Sequence, residues 1–252
     1  MTRAARQLDP GLLALGATGL IAWTALALAA SDLALPAFCS AASRTTASLA
    51  DALSLALVVN APSALALDWT LMLAAMMSPL LVAPLRHVCE RSFARRRLRA
   101  SLLFVAGYAA VWMTAGAGLA AGALAVRWAA SAPSAGLLVC AAVALAWQVS
   151  PAKQWCLNRC HRRPALAAFG AAADADALRF GLAIGAACVG SCWAVMLLPL
   201  VAAEWHLPMM ATVALFLFAE RLEDPAPPGW GWHAPGKALR IVTAQARMRL
   251  AS

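Results

Sequence analysis

The chain has 252 residues, of which 63% are hydrophobic and 12% charged, and a mean hydropathy of +0.75. Soluble domains carry roughly 25% charged residues, so a surface kept in water is excluded and the expected fold is all-α, a polytopic transmembrane helix bundle. The formal charge of +9 does not point to nucleic acid, because the densest run, Arg91 to Arg99, has no interleaved aromatic beyond Phe93 and lies between two spans, where basic residues orient the chain and meet anionic lipid.

A hydrocarbon core of ~30 Å needs about 20 apolar helical residues. Six stretches come close: Gly11 to Ala30, Trp69 to Leu85, Ala100 to Val126, Trp128 to Val149, Phe180 to Ala203 and Trp205 to Ala219. The first exceeds the ~7 to 15 apolar residues of a signal peptide and reads as a retained span. A long outer loop, 31–68, follows it; its mildly apolar run Leu49 to Val59 is expected on the membrane or against other spans. With the N-terminus inside, 18 of the 20 Lys and Arg fall on the inner side and only Arg44 and Arg127 outside, the asymmetry that the positive-inside rule demands. Trp69, Trp128, Trp155 and Trp205 stand at span ends, where amphipathic rings favour the interface. Both termini are predicted cytoplasmic. The bundle is expected over 1–222. The stretch "EDPAPPGWGWHAPG" cannot be helical, so 223–252 is read as a cytoplasmic Pro/Trp linker and an interfacial amphipathic tail.

Within this apolar chain two hexapeptides, "CLNRCH" and "CVGSCW", each hold cysteines four residues apart. On a helix that spacing stacks two side chains with Cβ atoms about 5 to 6 Å apart, close enough for both thiolates to turn toward one ion. Cys156 and Cys160 follow the fourth span, in a segment that Pro151 can start and Pro164 can end. Cys188 and Cys192 lie in the fifth span, near its inner end. Thiols on the cytoplasmic side stay reduced, which favours metal ligation or redox chemistry over structural bridging. Met196 extends the Cys188 and Cys192 stripe. Met72 and Met76 repeat the spacing on the second span, with Met77 adjacent. Thiolate and thioether together suit copper as Cu(I); thiolates alone suit zinc or iron equally. His161 could add an imidazole, and Glu220, at a span end beside Arg221, reads as half of a charge pair or topology signal. Cys39, Cys89 and Cys140 read as small packing residues.

The segments "DWTLMLAAMMSPLLVAPLRHV", "FVAGYAAVW", "SPAKQWCLNRC", "GLAIGAACVGSCWAVMLL" and "FLFAERL", in this order, resemble a bacterial family of predicted metal-binding integral membrane proteins, a domain of unknown function. The resemblance covers most of Asp68 to Leu222. It implies that Met76, Met77, Pro79, the four paired cysteines, Trp193, Met196 and Glu220 are signature positions. Where the family has a double Cys before the Trp, this chain has Ser191 and then Cys192; "WHLPMM" stands where the family has an "MN" pair.

The first expectation for function is a membrane protein that binds a soft metal, copper foremost, through Cys and Met, and acts in metal handling, transport or delivery. Its partners would be the bilayer, other membrane subunits or a metal chaperone. The alternatives are a non-catalytic accessory subunit of a larger membrane complex and a transmembrane thiol redox relay. No HExxH, GxSxG, P-loop or Gly-rich dinucleotide turn occurs, so a conventional enzyme is not expected.

Overall fold

A computed structural model of the chain describes residues 10–31, 48–59, 61–130, 132–202, 205–232, 235–238, 240, 241 and 243. The expectations for Cys39 and Arg44, and for much of the tail, lie outside the described residues. Among those described the fold is all-α: α1 (Pro10–Ser31), α2 (Leu49–Val59), α3 (Pro62–Arg91), α4 (Arg97–Ala129), α5 (Pro133–Gln148), α6 (Pro151–Cys160), α7 (Gly170–Val201) and α8 (His206–Arg221).

By length and composition α3, α7 and the segment Ala94–Ala129 containing α4 are able to cross a membrane; α5 and α6 pass the same test only together, as a pair bent by 70°. The continuous stretch expected over Trp128 to Val149 is thus divided. Trp128 belongs to the end of α4, and Pro133 opens α5. A proline in the first helical turn has no N–H to lose and a φ already set for the helix. Pro151 repeats the device at α6, directly after the N-cap Ser150. The apolar stretches in α1 and α2 are shorter, Leu13–Leu28 and Leu49–Val58.

The chain divides into two compact units. One comprises Met1–Pro36, Asn60–Met113 and Arg163–Gly185; the other comprises Ala37–Val59, Thr114–Arg162 and Ala186–Ser252. The divisions fall inside α4 and α7, so each of these helices gives its first part to the first unit and its remainder to the second.

In the first unit α1 lies along α3, with the Trp23 indole donating to the Ala75 carbonyl at 3.0 Å. Residues of α4 and α7 cross with their backbones almost touching: a Cβ on Gly107 would stand 2.6 Å from the Leu178 carbonyl oxygen, and one on Gly181 would meet the Phe104 carbonyl. Small residues at such crossings are what permit close packing between apolar helices. Phe104, Tyr108 and Trp112, one helical turn apart on α4, form a column of rings. Phe180 and then His87 join it at one end and Trp69 at the other, with centroid spacings of 5.3, 5.6 and 6.3 Å. The Trp69 indole also donates to the Trp112 carbonyl at 2.9 Å. Phe104 and Trp112 are fully buried.

Candidate metal site

The second unit turns sharply between α5 and α6. Ser150 caps α6, accepting from the Lys153 N–H at 3.2 Å while its hydroxyl donates to the Trp147 carbonyl at 2.7 Å. The cap places "KQWCLNRC" on a new helix whose inner face carries Lys153, Gln154, Leu157 and Cys160, all buried. Cys156, half-buried, lies against Gly190 of α7: a Cβ there would come 2.5 Å from the Cys156 sulfur. The Gly190 carbonyl accepts from the Trp147 indole at 3.0 Å, and Trp147 meets Trp193 edge-on at 5.2 Å. Gly190 is therefore the position in "CVGSCW" that lets α6 bring its thiols up to α7.

Cys160, Cys188 and Cys192 are each 1% exposed. They interact electrostatically with one another, Cys160 with Cys188 and Cys192 with both. The grouping crosses from α6 to α7 and does not stop at each i, i+4 pair. Arg221, the last residue of α8, donates from Nη2 to the Cys188 sulfur at 3.5 Å and hydrogen-bonds Cys160 as well. The Cys192 thiol is turned back on its own helix, donating to the Cys188 carbonyl at 2.9 Å; the Ser191 hydroxyl donates to the same carbonyl at 2.8 Å. As the side chains stand, no three His, Cys, Asp or Glu among the described residues converge on a point that would hold a metal ion. Cys192 has to leave its carbonyl before a third sulfur can join Cys160 and Cys188.

Beside the thiols lies a buried ion pair. Lys153 and Glu220, with side chains 4% and 5% exposed, meet directly, and Gln148 donates to the same carboxylate oxygen. The Lys153 ammonium also approaches the Phe216 ring, 5.9 Å from its centroid, and lies within electrostatic reach of Cys192. Glu220 thus makes its hydrogen bonds to Lys153 and Gln148, with Arg221 a lesser electrostatic neighbour. Successive helical residues point about 100° apart, so Glu220 faces Lys153 and Gln148 while Arg221 faces the sulfurs.

A cavity of about 160 Å³ adjoins the pair, lined by Lys153, Gln154, Leu157, Glu220, Glu223, Asp224 and Ala226. Its far wall is the non-helical strap after α8, fastened to α6 by Asn158, which donates to the Ala226 carbonyl at 2.7 Å and accepts from the Ala226 N–H at 3.3 Å. Beyond it the Gly231 N–H donates to the Val149 carbonyl at 3.1 Å. At the rim Lys237 bonds Asp224 at 2.6 Å.

The other expected ligands are distributed more widely, as are the remaining described histidines and cysteines. Met196 is fully buried on α7 of this unit, one turn beyond Cys192. His161 caps the C-terminus of α6 and feels the Asp224 charge. Met72, Met76 and Met77 are buried on α3 in the first unit. His87 and His206 use ring nitrogens on the carbonyls of Pro164 and Pro199, at 2.8 and 2.7 Å. Cys140 is buried on α5, and Cys89 meets the Ser101 hydroxyl at 3.5 Å. Four contributors carry no signal of this role in their spacing: Gln148 and Gly190 sit among apolar residues, and Lys153 and Arg221 look like the loop cations that orient a chain.

No curated protein and no solved structure matches this chain. A family model described as PpoB2, copper chaperone, matches residues 66–242, a range that holds the four paired cysteines, the three methionines of α3 and the charged groups around the thiols. The chain belongs to this copper chaperone family.

Proposed function

We propose that the chain handles copper as an integral protein of the bacterial inner membrane, taking Cu(I) as cargo on Cys160, Cys188 and Cys192 and yielding it to a recipient protein. The observation that carries this reading is the meeting of cysteines from two helices around one guanidinium. Soft thiolates are the ligand class for Cu(I), and the family description names copper. Binding replaces thiol hydrogen bonds with sulfur to metal bonds, and each thiol that ligates gives up its proton to solvent. Cys156 stands at the same helix contact, with Met196 and His161 as supplementary donors. Trp193 holds the glycine-lined contact through Trp147. Met72 and Met76, with Met77 beside them, offer thioethers to the same ion class on α3.

We further propose six crossings, made by α1, α3, α4, the α5 and α6 pair, α7 and α8, with both termini cytoplasmic. This is the arrangement that puts 18 of 20 basic residues inside and the thiols where they remain reduced. Labelling of single cysteines introduced at loop positions, from either side of the membrane, tests the count and the orientation.

Elemental analysis of the full chain in mild detergent under reducing conditions tests the cargo. Near-stoichiometric copper that disappears when Cys156, Cys160, Cys188 and Cys192 are all changed to Ser is expected. Full copper content in that variant overturns the reading.

A further inference from the structure

Resting on the thiol site just proposed, we infer that Arg221 is a specificity-determining residue, which makes the cysteine cluster prefer a monovalent soft ion over a divalent one. Its guanidinium is the charged group in hydrogen-bond contact with the sulfurs, 3.5 Å from Cys188 and bonded also to Cys160. Glu220 interacts electrostatically with Arg221 but is hydrogen-bonded to Lys153 in a buried pair of its own, and Arg159 lies over the exposed Trp155 ring on the outer face of α6.

Charge counting gives the sign. Two thiolates and one monovalent ion carry −1, which the guanidinium brings to zero. With a divalent ion the two thiolates are already neutral, and the guanidinium meets no net negative charge there, so it favours the monovalent complex by one unit of charge. A third thiolate shifts both totals by the same amount, so the difference survives any change in ligand number: Arg221 always repels a divalent ion by one unit of charge more. No oxidation or reduction is involved, and for each ion bound two or three thiol protons pass to solvent.

The size follows from Coulomb's law. One unit of charge about 6 Å away, a guanidinium to sulfur contact plus a sulfur to metal bond, at an effective dielectric of about 20 changes an affinity on the order of 100-fold. Because Arg221 is only partly buried, screening reduces this to roughly tenfold.

The test measures Cu(I) and Zn(II) dissociation constants, each by competition with a chromophoric chelator, on the reduced full-length protein, on R221Q and R221K, and on the variant with four cysteines changed to Ser. The ratio of zinc to copper constants is expected to fall roughly tenfold in R221Q and to stay within about threefold of wild type in R221K. A purely structural role would weaken both ions together and leave the ratio alone. Should R221Q not purify folded, R221M keeps the apolar stem without the charge and the same ratio decides. An unchanged ratio in the charge-free variant, for a site that still depends on cysteine, overturns this inference alone. A wild type that binds neither ion, or binds both as well without the four thiols, overturns the thiol reading itself.

Discussion

In the first unit the interior is filled by Phe104, Trp112, Met76 and Met77, each at most 1% exposed, whereas the second encloses Lys153, Glu220 and Gln148 together with three thiols. Rings and thioethers are stabilised by shape and area alone. A buried lysine and glutamate are not: replacing such a pair with apolar side chains of similar volume is often neutral or favourable, so stability does not explain why this chain keeps one. The contrast teaches where to look for function. Side chains that pack without cost say little, and side chains that require several simultaneous partners mark the place where the chain gives up stability for chemistry.

The sharpest way to break this contrast is to treat both interiors alike. Trp112→Ala is expected to destabilise the first unit by about 3 to 5 kcal/mol, read as a lower melting temperature in detergent, while the cysteine-dependent copper content of the folded fraction is unchanged. Glu220→Gln in the second unit leaves the Lys153 ammonium buried without its carboxylate and is expected to cost about 3 to 5 kcal/mol. Converting both partners, K153M with E220L, should recover most of that loss; a double variant as unstable as the single one would show that the pair does not act as a unit. Gly190→Ala tests the helix contact. Its methyl would press on the Cys156 sulfur from 2.5 Å, an overpacking expected to cost about 1 to 3 kcal/mol and to lower copper content at the same time.

Milder changes sharpen the comparison. M72L with M76L preserves volume in the first unit and should cost less than about 1.5 kcal/mol; loss of folding there would mean that the thioethers do more than fill space. The smallest effect is expected at Asp224. The hydrogen bond and charge of Lys237 hold its carboxyl below the ordinary value of 3.8. A carboxyl lowered on folding contributes above the ordinary carboxylate range and loses that contribution as pH falls through the lower folded value. Melting temperature measured from pH 6 to pH 3 should therefore decline slightly less steeply in D224N than in wild type.

Much of this was visible in the residues themselves. The all-α class follows from apolar stretches of helical length, and Pro151 marks a helix start because it occupies the first turn. The division of Trp128 to Val149 between α4 and α5 was not read, since hydropathy runs on from the end of one helix into the next and records composition, not direction. The two cysteine pairs stand out by spacing within each helix. Their joining across α6 and α7 depends on a 70° elbow and a single glycine, neither of which leaves a mark in a period of 3.6. Glu220 and Arg221 were half legible for a related reason: neighbours in sequence suggest a charge pair, and the two do interact electrostatically, while a helix points their hydrogen bonds to different groups. Lys153 and Arg221 were legible only as topology signals, because a cation at a span end looks the same in sequence whether it faces lipid headgroups or a thiol.

The strap beyond α8 is pinned twice, at Ala226 by Asn158 and at Gly231 by the Val149 carbonyl. Pro225, Pro227 and Pro228 stiffen the chain there, and residues flanked by proline keep extended backbone angles even without tertiary contacts. Little conformational entropy is gained when one pin lets go, so the segment behaves as a jointed rod and not as slack cord. The amide hydrogens of Ala226 and Gly231 should consequently exchange with solvent in one shared opening event, which requires both pins to let go.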